Sequence, residues 1–496
     1  MTSLQELCDR GLGLEVWGDP TVAVSGVRHD SRAVEPGDLF VAVPGRTTDG
    51  ARFARDAIAR GAIAVASQEK LPLEIPQLRV ADARRAIATL ASVVYGDPTS
   101  QLEVVGLTGT NGKTTTTWIL DEALRALGAR PALLGTIESR GPGVREAAPY
   151  TTPEGDAIAR FARAVVDAGA THLVMEVSSH ALAQHRADAV SFAVAGFTNL
   201  TQDHLDFHET MDAYFAAKAR LFLELSPRAA VVNVDDEHGR RLADEVSAPL
   251  VLRISRERDA EIRVLDQRLG REGIRARVEV LGNEVELSSP MIGAHNLENL
   301  LLALGCLIAL GHDAPDAVAA LGKAKGAPGR LERVEGLEDV AILVDYAHTP
   351  DALARALDAL ESITPGRRIV VFGCGGDRDA DKRPKMGDAA AARADFAFVT
   401  SDNPRTEDPY AILAAIEPAV AAHLPAADSS EAERGYEVIE DRRLAIRRAV
   451  QAARPGDTIL IAGKGHEDYQ LRGGEVLHFD DREEARAAIA AIGGRA

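Results

Sequence analysis

The feature that most constrains the fold is a repeated alternation of short apolar runs with amphipathic segments of helical period. Apolar runs such as EVVGLTG from Glu103, THLVMEVS from Thr171 and FAFV from Phe396 are bounded by turn residues. Helical patterns follow several of them, including one predicted from about Lys113 to Leu127. Strands that alternate with helices pair in parallel and are covered on both faces. The alternation therefore predicts an α/β protein built on parallel sheets.

Three such blocks follow one another along the 496 residues, which agrees with a prior of ~150 residues per domain. Residues 1–98 are predicted to form an N-terminal domain, with short runs such as DLFVAV and AIAVAS. Residues 99–329 are predicted to form a central α/β domain of the P-loop type. Residues 330–496 are predicted to form a C-terminal Rossmann-like α/β domain, in which AILVDYAH is followed by PDALARALDAL.

Bulk composition argues against several classes of partner. The formal net charge of −19 repels nucleic acid and anionic membranes, so neither is expected as a partner. The longest apolar run, Leu300–Leu310, is shorter than the ~18 residues of a membrane span and is predicted to be a buried helix. Cys8, Cys306 and Cys374 have no paired spacing, and the N-terminus has no signal-peptide pattern. These features predict a cytoplasmic protein without disulfides or a zinc ribbon.

Polar loops follow the predicted strands. In parallel sheets, ligands bind beyond the carboxyl ends of the strands, where such loops lie. The pattern therefore predicts an active-site rim assembled from two domains. The loops are TGTNGKT, EVSSH, TNLTQDH, DYAHTPD, GCGGDRD, SDNPRTED and GKGHED.

The loop Thr108–Thr115, TGTNGKTT, follows a strand and opens a helix. Its glycines let backbone N–H groups crowd around phosphate oxygens at the positive end of the helix. In a P-loop, Lys113 reaches the outer phosphates and Thr114 binds Mg²⁺, and Glu176 at the end of LVMEV fits a carboxylate oriented toward that metal. Leu107 stands where the strict pattern has glycine, so the loop is a variant. The alternative is an ordinary glycine-rich turn with a capping threonine.

Several motifs occur in a set order along the chain, namely TGTNGKT, EVSSHAL, TNLTQDHLDFH, GAHNLENLLLA, PGRLE and DYAHTPDAL. Together they resemble the Mur ligase family, whose members join an amino acid to a nucleotide-linked muramyl peptide with ATP. DSRAVEPGDLFVAVPG, DNPR and GKGHE resemble the members that add meso-2,6-diaminopimelate in peptidoglycan precursor synthesis. The implied substrates are UDP-N-acetylmuramoyl-L-alanyl-D-glutamate, meso-2,6-diaminopimelate and ATP, with an acyl-phosphate intermediate. A monomer is expected.

The resemblance also implies catalytic and metal-binding residues. Glu176 and His204 match Mg²⁺ ligands beside Thr114, and Lys218 matches a lysine carried as a carbamate (N6-carboxylysine). Forming that carbamate needs a depressed lysine pKa, whereas a lysine on a helix is otherwise a solvated surface charge. His204 and His208 also suggest a zinc pair, although no third soft ligand stands nearby. The implied catalytic residues are Lys113, Glu176, His204 and Lys218, and the implied ATP-binding residues are Gly109, Thr110, Asn111, Gly112, Lys113, Thr114, Thr115, Asn296, Asn299, Arg330 and Asp345.

The same resemblance assigns the other two substrates to separate residues. Hydroxyl groups and one arginine suit a sugar-diphosphate tail that ends in a carboxylate, although Thr151 next to Pro153 also fits a turn. For Asn296, Asn299, Arg330 and Asp345, the last four residues of the implied ATP-binding set, the alternative interpretation is that they cap helices or form salt bridges at a domain boundary. The implied UDP-substrate residues are Ser31, Thr151, Thr152, Ser178, Gln184 and Arg186, and the implied amino-acid residues are Arg378, Asp402, Asn403, Arg405, Gly463 and Glu467.

The loop SDNPR is interpreted as the distal end of the amino-acid pocket. Pro404 stiffens the loop so that Arg405 presents its planar fork to the distal carboxylate, and Glu467 accepts the distal ammonium. Lysine lacks that second carboxylate, and a site that leaves a buried arginine unpaired discriminates by roughly 10⁴ or more. Without the resemblance, DNPR is more simply interpreted as a turn.

Other functions share parts of this pattern. A lysine-adding relative or a folylpolyglutamate synthetase-like ligase would use the same phosphate loop. A non-catalytic nucleotide switch would not need Glu176, Lys218 and Arg405 together. A phosphotransferase that stops at phosphorylation would leave DNPR and GKGHE with no acceptor to hold.

Overall fold

The computed structural model describes residues 1–45, 49–427, 429–430 and 432–493. The chain divides into two compact units, and the N-terminal and central segments belong to the same unit. The first unit consists of Met1–Asp266, Ala276–Leu287 and Glu298–Ala324, and the second of Gln267–Arg275, Ser288–Leu297 and Lys325–Ala496.

The N-terminal segment forms a small, mostly parallel sheet. DLFVAV contains the fully buried strand Asp38–Val41, which pairs in parallel with Ala64–Ser67 of AIAVAS. The helix Ala83–Val94 buries Ile87 and Leu90 in the same core. In order across this sheet, the strands are Glu15–Trp17, Gln77–Arg79, Ala64–Ser67, Asp38–Val41 and Gly26–Arg28, and a separate two-stranded sheet pairs Thr2–Ser3 with Ala23–Val24. The helices include Leu4–Asp9, Ala54–Arg60 and Ala83–Val94. Short 3₁₀ turns lie at Ser31–Ala33, Gly50–Phe53 and Pro98–Gln101.

The central segment is built on a longer sheet. The neighbouring strands Glu103–Thr108, His172–Glu176 and Phe192–Phe197 are parallel, and they are almost entirely buried, as a sheet covered on both faces requires. The helix predicted from about Lys113 to Leu127 is confirmed as Lys113–Ala126. The apolar run at 300–310 lies almost entirely in the helix Ala294–Ala309, whose leucines are buried as predicted.

The remaining elements of this segment follow the same alternation of strand and helix. No helix within the described residues is long and apolar enough to cross a bilayer. Across the sheet the strands are Val144–Ala147, Glu138–Gly141, Pro131–Leu134, His172–Glu176, Glu103–Thr108, Phe192–Phe197, Ala229–Asn233, Leu250–Ser255, Ile262–Gly270, Gly273–Val280 and Asn283–Ser289, and further helices are Gly155–Asp167, Ser179–Ala183, Leu205–His208, Met211–Leu223, Glu237–Glu245 and Ala314–Leu321.

The C-terminal segment forms a Rossmann-like sheet, as predicted. Its strand and helix pairs match the sequence pattern, for example Ala341–Asp345 followed by Pro350–Glu361. The sequence pattern did not predict the strand Gly435–Val438 or the hairpin Tyr469–Arg472 with Glu475–His478. The strands across the sheet are Glu332–Val334, Ala341–Asp345, Thr458–Ala462, Arg368–Phe372, Phe396–Val399 and Gly435–Val438, and the helices include Pro350–Glu361, Lys382–Ala391, Pro409–Ala421, Arg442–Ala452 and Asp481–Gly493.

The polar loops lie where the sequence predicted them, at the carboxyl ends of parallel strands. In the first unit they follow Glu103–Thr108, His172–Glu176 and Phe192–Phe197. In the second unit they follow Ala341–Asp345, Arg368–Phe372, Phe396–Val399 and Thr458–Ala462. Because parallel strands end at one edge of their sheet, each unit gathers its polar loops at a single edge.

Candidate active site

Two glycines shape the phosphate loop between the strand Glu103–Thr108 and the helix Lys113–Ala126. Gly109 has φ of 143°, and a Cβ there would lie 1.8 Å from Thr198 Oγ1. Gly112 has φ of 88°, and a Cβ there would lie 2.4 Å from Asn299 Oδ1. A larger residue fits neither position, since both the backbone conformation and the space require glycine. The loop thus brings its backbone N–H groups to the start of a helix, as phosphate binding requires.

Lys113 bends back over this loop. Its Nζ donates hydrogen bonds to the carbonyl oxygens of Gly109 and Thr110, each at 2.9 Å. The loop is held further by Tyr214, whose hydroxyl lies 3.2 Å from Thr110 Oγ1. The ammonium therefore lies directly over the backbone that would surround a phosphate.

Glu176 and Thr114 meet at the edge of the central sheet. Thr114 Oγ1 donates a 2.8 Å hydrogen bond to Glu176 Oε2, and the backbone N–H of Thr136 donates to Oε1 at 2.7 Å. Glu176 is only 1% exposed. Hydroxyl and carboxylate oxygens are the hard metal ligands that Mg²⁺ prefers, so the two side chains fit the predicted metal.

Lys218 lies on the helix Met211–Leu223 and is 1% exposed. The interpretation of this residue as a solvated surface charge is therefore wrong. Its Nζ donates a 2.7 Å hydrogen bond to the Gly109 carbonyl and lies 4.5 Å from the centre of the Tyr214 ring. Burial, reinforced by the nearby charge of Lys113, holds the pKa of the Lys218 amine well below its usual range. A neutral amine is the form that reacts with CO₂.

The two histidines of DHLDFH have different surroundings. His204 has φ of 51° and precedes the short helix Leu205–His208, and its ring lies 3.6 Å from Asp203. His208 is buried, with Nε2 2.9 Å from Ser179 Oγ, and burial lowers its pKa to about 4. Among the described residues, no three His, Cys, Asp or Glu side chains converge on a metal position, so a zinc pair would lack a third ligand.

The two predicted asparagines of GAHNLEN make different contacts. Asn299 Oδ1 accepts a 3.2 Å hydrogen bond from Thr116 Oγ1, which places it against the phosphate-loop helix. Asn296 Nδ2 donates a 2.7 Å hydrogen bond to the carbonyl of Ile292, just before its own helix. Asn299 therefore lies against the start of the phosphate-loop helix, whereas Asn296 ties down the start of its own helix.

Several of the predicted UDP-substrate residues lie close together at the end of the strand that carries Glu176. Thr152 Oγ1 donates to the Glu176 carbonyl at 2.9 Å and accepts from the Ser178 N–H at 3.0 Å. Arg186 donates to the Thr152 carbonyl at 2.9 Å and to Gln184 Oε1 at 2.6 Å. These contacts connect the predicted substrate residues directly to the strand that carries the predicted metal carboxylate.

Thr151 and Ser31 lie at the margins of this cluster. Thr151 Oγ1 is 3.1 Å from Thr136 Oγ1, next to Glu176. Ser31 is buried in the turn Ser31–Ala33, in the N-terminal segment. Within the described residues, no hydrogen bond links the Ser31 side chain to the cluster.

In the second unit, Asn403 organises the predicted amino-acid pocket. Its Oδ1 accepts hydrogen bonds from Lys464 Nζ at 3.0 Å and from the Leu471 N–H at 2.9 Å. Its Nδ2 donates to Glu467 Oε2 at 3.0 Å. Burial and the neighbouring Asp402 carboxylate raise the pKa of Glu467. The amide therefore connects the DNPR loop to the GKGHE loop.

Arg405 is held by the hairpin that the sequence analysis missed. Its backbone N–H donates to the Leu471 carbonyl at 2.9 Å, and the Gly473 N–H donates to the Arg405 carbonyl at 2.7 Å. These bonds support a left-handed backbone at Arg405, with φ of 53°, which is unfavourable for a residue with a side chain. Its guanidinium donates to the Gly376 carbonyl at 2.7 Å. DNPR is thus an irregular loop held by the hairpin, and it also presents a guanidinium.

Two further residues predicted for the amino-acid pocket, Gly463 and Arg378, have different surroundings. Gly463 has φ of 119°, a conformation that favours glycine, and a Cβ there would lie at an ordinary contact distance of 3.5 Å from Asp402 Oδ2. Arg378 lies on an exposed turn. No hydrogen bond or ion pair between described residues joins Arg378 to Arg405 or to Glu467.

Arg330 and Asp345 lie close together at the same sheet edge. Asp345 accepts hydrogen bonds from the N–H groups of Leu331 at 2.7 Å and Ala347 at 2.8 Å. Burial raises the pKa of Asp345, and the charge of Arg330 opposes that shift. The Arg330 guanidinium lies 4.9 Å from the centre of the Tyr346 ring.

Lys464 is the residue of this region that sequence reasoning missed, although it stands within the GKGHE motif. It is 0% exposed, and its Nζ lies 3.7 Å from Asp402 and 3.8 Å from Glu467. Burial lowers the pKa of Lys464, and the Asp402 carboxylate opposes that shift. The available signal was a lysine between two glycines at the end of an apolar strand, where a long side chain can turn inward.

The chain matches models of known protein families. Three family models match successive parts of the chain: the Mur ligase family catalytic domain over residues 23–97, the Mur ligase middle domain over 107–307, and the Mur ligase glutamate ligase domain over 329–465. The predicted boundaries at residues 98 and 329 stay predictions.

Curated relatives match nearly the full length. A protein of Gloeobacter violaceus is 46% identical over 98% of this chain and 98% of its own length. One of Synechococcus elongatus is 45% identical over 95% of this chain and 94% of its own. Both are named UDP-N-acetylmuramoyl-L-alanyl-D-glutamate--2,6-diaminopimelate ligase. A solved structure of the same name is similar with a TM-score of 0.75 and 33% identity, over 99% of this chain and 100% of that one.

Proposed function

Since the chain belongs to the Mur ligase family, we propose that it joins 2,6-diaminopimelate to the D-glutamate of UDP-N-acetylmuramoyl-L-alanyl-D-glutamate with ATP. The enzyme is an ATP-dependent ligase of peptidoglycan precursor synthesis. The proposal is supported by relatives at 45–46% identity that carry this name. The structural observation that carries it is the Asn403 side chain, which ties the DNPR loop to Glu467 at 3.0 Å.

The phosphate loop and its neighbours would bind ATP. The backbone N–H groups at the start of the helix Lys113–Ala126 would surround the phosphates, and Lys113 would move from its loop carbonyls to the outer phosphate oxygens. Mg²⁺ would be held by Thr114, Glu176, His204 and the carbamate of Lys218. When bound, Mg²⁺ neutralises phosphate charge that would otherwise repel the acceptor carboxylate.

Activation of the acceptor makes the amide bond possible in water. The D-glutamate carboxylate attacks the γ-phosphorus of ATP, the bond to the β-phosphate oxygen breaks, and ADP leaves with an acyl phosphate formed. The neutral amine of diaminopimelate then attacks the acyl carbon, the carbon–oxygen bond to the phosphate breaks, and the inorganic phosphate leaves with the proton that the nitrogen loses. Thr152, Ser178 and Arg186 would position the acceptor beside Glu176, since they already contact its strand or one another.

The amino-acid pocket would bind the distal end of diaminopimelate, which carries both an ammonium and a carboxylate. Arg405 would pair with the carboxylate through two N–H groups, and Glu467 would accept from the ammonium. Lysine offers only the ammonium, so Arg405 would lose its partner. The proposal includes the meso stereoisomer of diaminopimelate as substrate, the carbamate on Lys218 and the acyl phosphate as intermediate.

Turnover with each amino acid tests the proposal. The full chain is supplied with ATP, Mg²⁺ and the UDP-dipeptide, and ADP and the peptide product are measured. We expect turnover with meso-diaminopimelate and kcat/KM lower by roughly 10⁴ with lysine. A preference for lysine would assign the chain to the lysine-adding relatives, and turnover with a folate and glutamate instead would remove the nucleotide-peptide assignment.

A further inference from the structure

A buried cation lies behind the proposed amino-acid pocket. Lys464 Nζ is fully enclosed and donates to Asn403 Oδ1 at 3.0 Å and to the carbonyl of Tyr469. It also lies within 3.8 Å of two carboxylates, those of Asp402 and Glu467. A lysine without solvent is costly unless its charge is paired and its N–H groups are used. This environment pairs the charge and gives two of the three N–H groups a hydrogen-bond acceptor.

Lys464, together with the Leu471 N–H, sets which way the Asn403 amide faces. An amide has one end that accepts hydrogen bonds and one that donates them. Lys464 and the Leu471 N–H both donate to Oδ1, so Nδ2 is turned toward Glu467, at 3.0 Å. Glu467 is thereby fixed through one oxygen, Oε2, and its other oxygen can accept from a ligand ammonium.

Lys464 also sets the net charge of the pocket. Arg405 and Lys464 offset Asp402 and Glu467, so these four groups sum to zero; the exposed Arg378, which no hydrogen bond or ion pair between described residues joins to Arg405 or Glu467, is not counted. The pair Arg442 and Asp481 behind them is complete in itself, with hydrogen bonds of 2.8 and 2.7 Å and no exposure of either side chain. The distal end of a diamino diacid carries one ammonium and one carboxylate, so its binding leaves the net charge of the pocket at zero. The distal end of a diamino monoacid carries only an ammonium, so its binding adds one positive charge to the pocket.

We propose that Lys464 is a positioning residue that orients Asn403 and, through the charge it adds, makes the pocket prefer a diamino diacid over a diamino monoacid. The inference rests on the proposed function, because it concerns the same amino-acid site. Without the Lys464 charge the pocket becomes negative by one unit. A ligand with a lone distal ammonium is then favoured, since specificity is a difference between two affinities.

The test compares two substrates in the full-length enzyme. In Lys464→Met, which keeps the length of the side chain and removes its charge, kcat/KM is measured for meso-diaminopimelate and for lysine. We expect the ratio of the two to fall about 100-fold, with KM for ATP changed by less than about threefold. Lys385→Met, which removes an exposed lysine from the same unit, is the matched control and should keep the wild-type ratio.

A merely structural role for Lys464 would lower activity with both amino acids equally and leave their ratio unchanged, and that result overturns the inference. Lys464→Gln covers the case in which the methionine variant does not fold, since its amide still donates a hydrogen bond but carries no charge. Its ratio should fall in the same direction, and an unchanged ratio in this variant also overturns the inference. If the wild-type enzyme shows no preference for diaminopimelate, the proposed function fails first, and the inference fails with it.

Discussion

Two buried lysines, one in each unit, have opposite surroundings. Lys218 is 1% exposed and faces the like charge of Lys113, whereas Lys464 is 0% exposed and lies within 3.8 Å of Asp402 and Glu467. Burial lowers the pKa of both amines. Lys113 adds to that shift at Lys218, and the two carboxylates oppose it at Lys464. Burial therefore sets the direction of the shift, and the partners decide how far it goes.

This difference separates two chemical uses of one side chain. An amine with a strongly depressed pKa is neutral and nucleophilic, so Lys218 is suited to react with CO₂. An ammonium that is hydrogen-bonded and flanked by carboxylates is a fixed charge, so Lys464 is suited to organise a binding pocket. Substitutions in the two regions are accordingly expected to have different consequences.

The largest effect is expected from Lys218→Ala. Loss of the proposed carbamate removes an anion from the metal site, so turnover measured by ADP release should fall about 10³-fold. Added bicarbonate should not restore activity, whereas a small carboxylic acid that enters the cavity should restore part of it. Lys385→Ala serves as the control, and normal activity in Lys218→Ala would eliminate the carbamate hypothesis.

Arg405→Ala is expected to act on one substrate. The distal carboxylate of diaminopimelate would lose its guanidinium, so its KM should rise by roughly 10²-fold or more while the KM for ATP stays within about threefold. Initial rates with each substrate varied in turn provide the measurement. Equal increases in both KM values would indicate that the loop supports the fold of the second unit instead.

Lys464→Met should destabilise the protein by about 3 kcal/mol, because it leaves the buried Asp402 carboxylate and the half-buried Glu467 carboxylate without their shared cation. Equilibrium unfolding in denaturant, followed for the transition of the second unit, measures this change. Unchanged stability would mean that Lys464 does not pair with Asp402 and Glu467 in solution.

Acid should destabilise the protein through two histidines with a lowered pKa, the buried His208 in the first unit and the half-buried His466 in the second. Burial lowers the pKa of His208 and of His466 to about 4, from an ordinary value of 6.5. Between these values the unfolded chain binds a proton that the native ring does not, so stability falls as pH drops from 6.5 toward 4. Relative to wild type, His208→Gln should lose about 2 kcal/mol less between pH 7.5 and 4.5. Unfolding at both pH values checks this, and identical pH dependence would contradict it.

The smallest effect is opposite in sign. With CO₂ excluded so that the amine is not carbamylated, Lys218→Met should stabilise the folded protein by about 1 kcal/mol at neutral pH, because it removes a buried base that has no close carboxylate partner. The Gly109 carbonyl keeps its 2.9 Å hydrogen bond from Lys113, so no acceptor is left unpaired. Denaturant unfolding measures the change, and a loss of stability like that of Lys464→Met would remove the contrast between the two lysines.

Much of the fold follows from local pattern. The fully buried strand Phe396–Val399 and the helix Lys113–Ala126 lie where periodicity predicted them. Periodicity succeeds because the side chains that share a strand or helix face are also near one another in sequence. The strand Gly435–Val438 was missed, since its four residues, GYEV, show no apolar run.

The sequence by itself determined the parallel sheets, the polar loops at their carboxyl edges and the glycines that the phosphate loop requires. Only the tertiary structure decided that Lys218 is buried against Gly109, that the hairpin holds Arg405, and that Lys464 turns inward to Asn403. Lys218 and Gly109 are 109 positions apart, and Lys464 and Asn403 are 61 apart. Burial and pKa depend on which distant segments the chain brings together, and residue spacing does not record that.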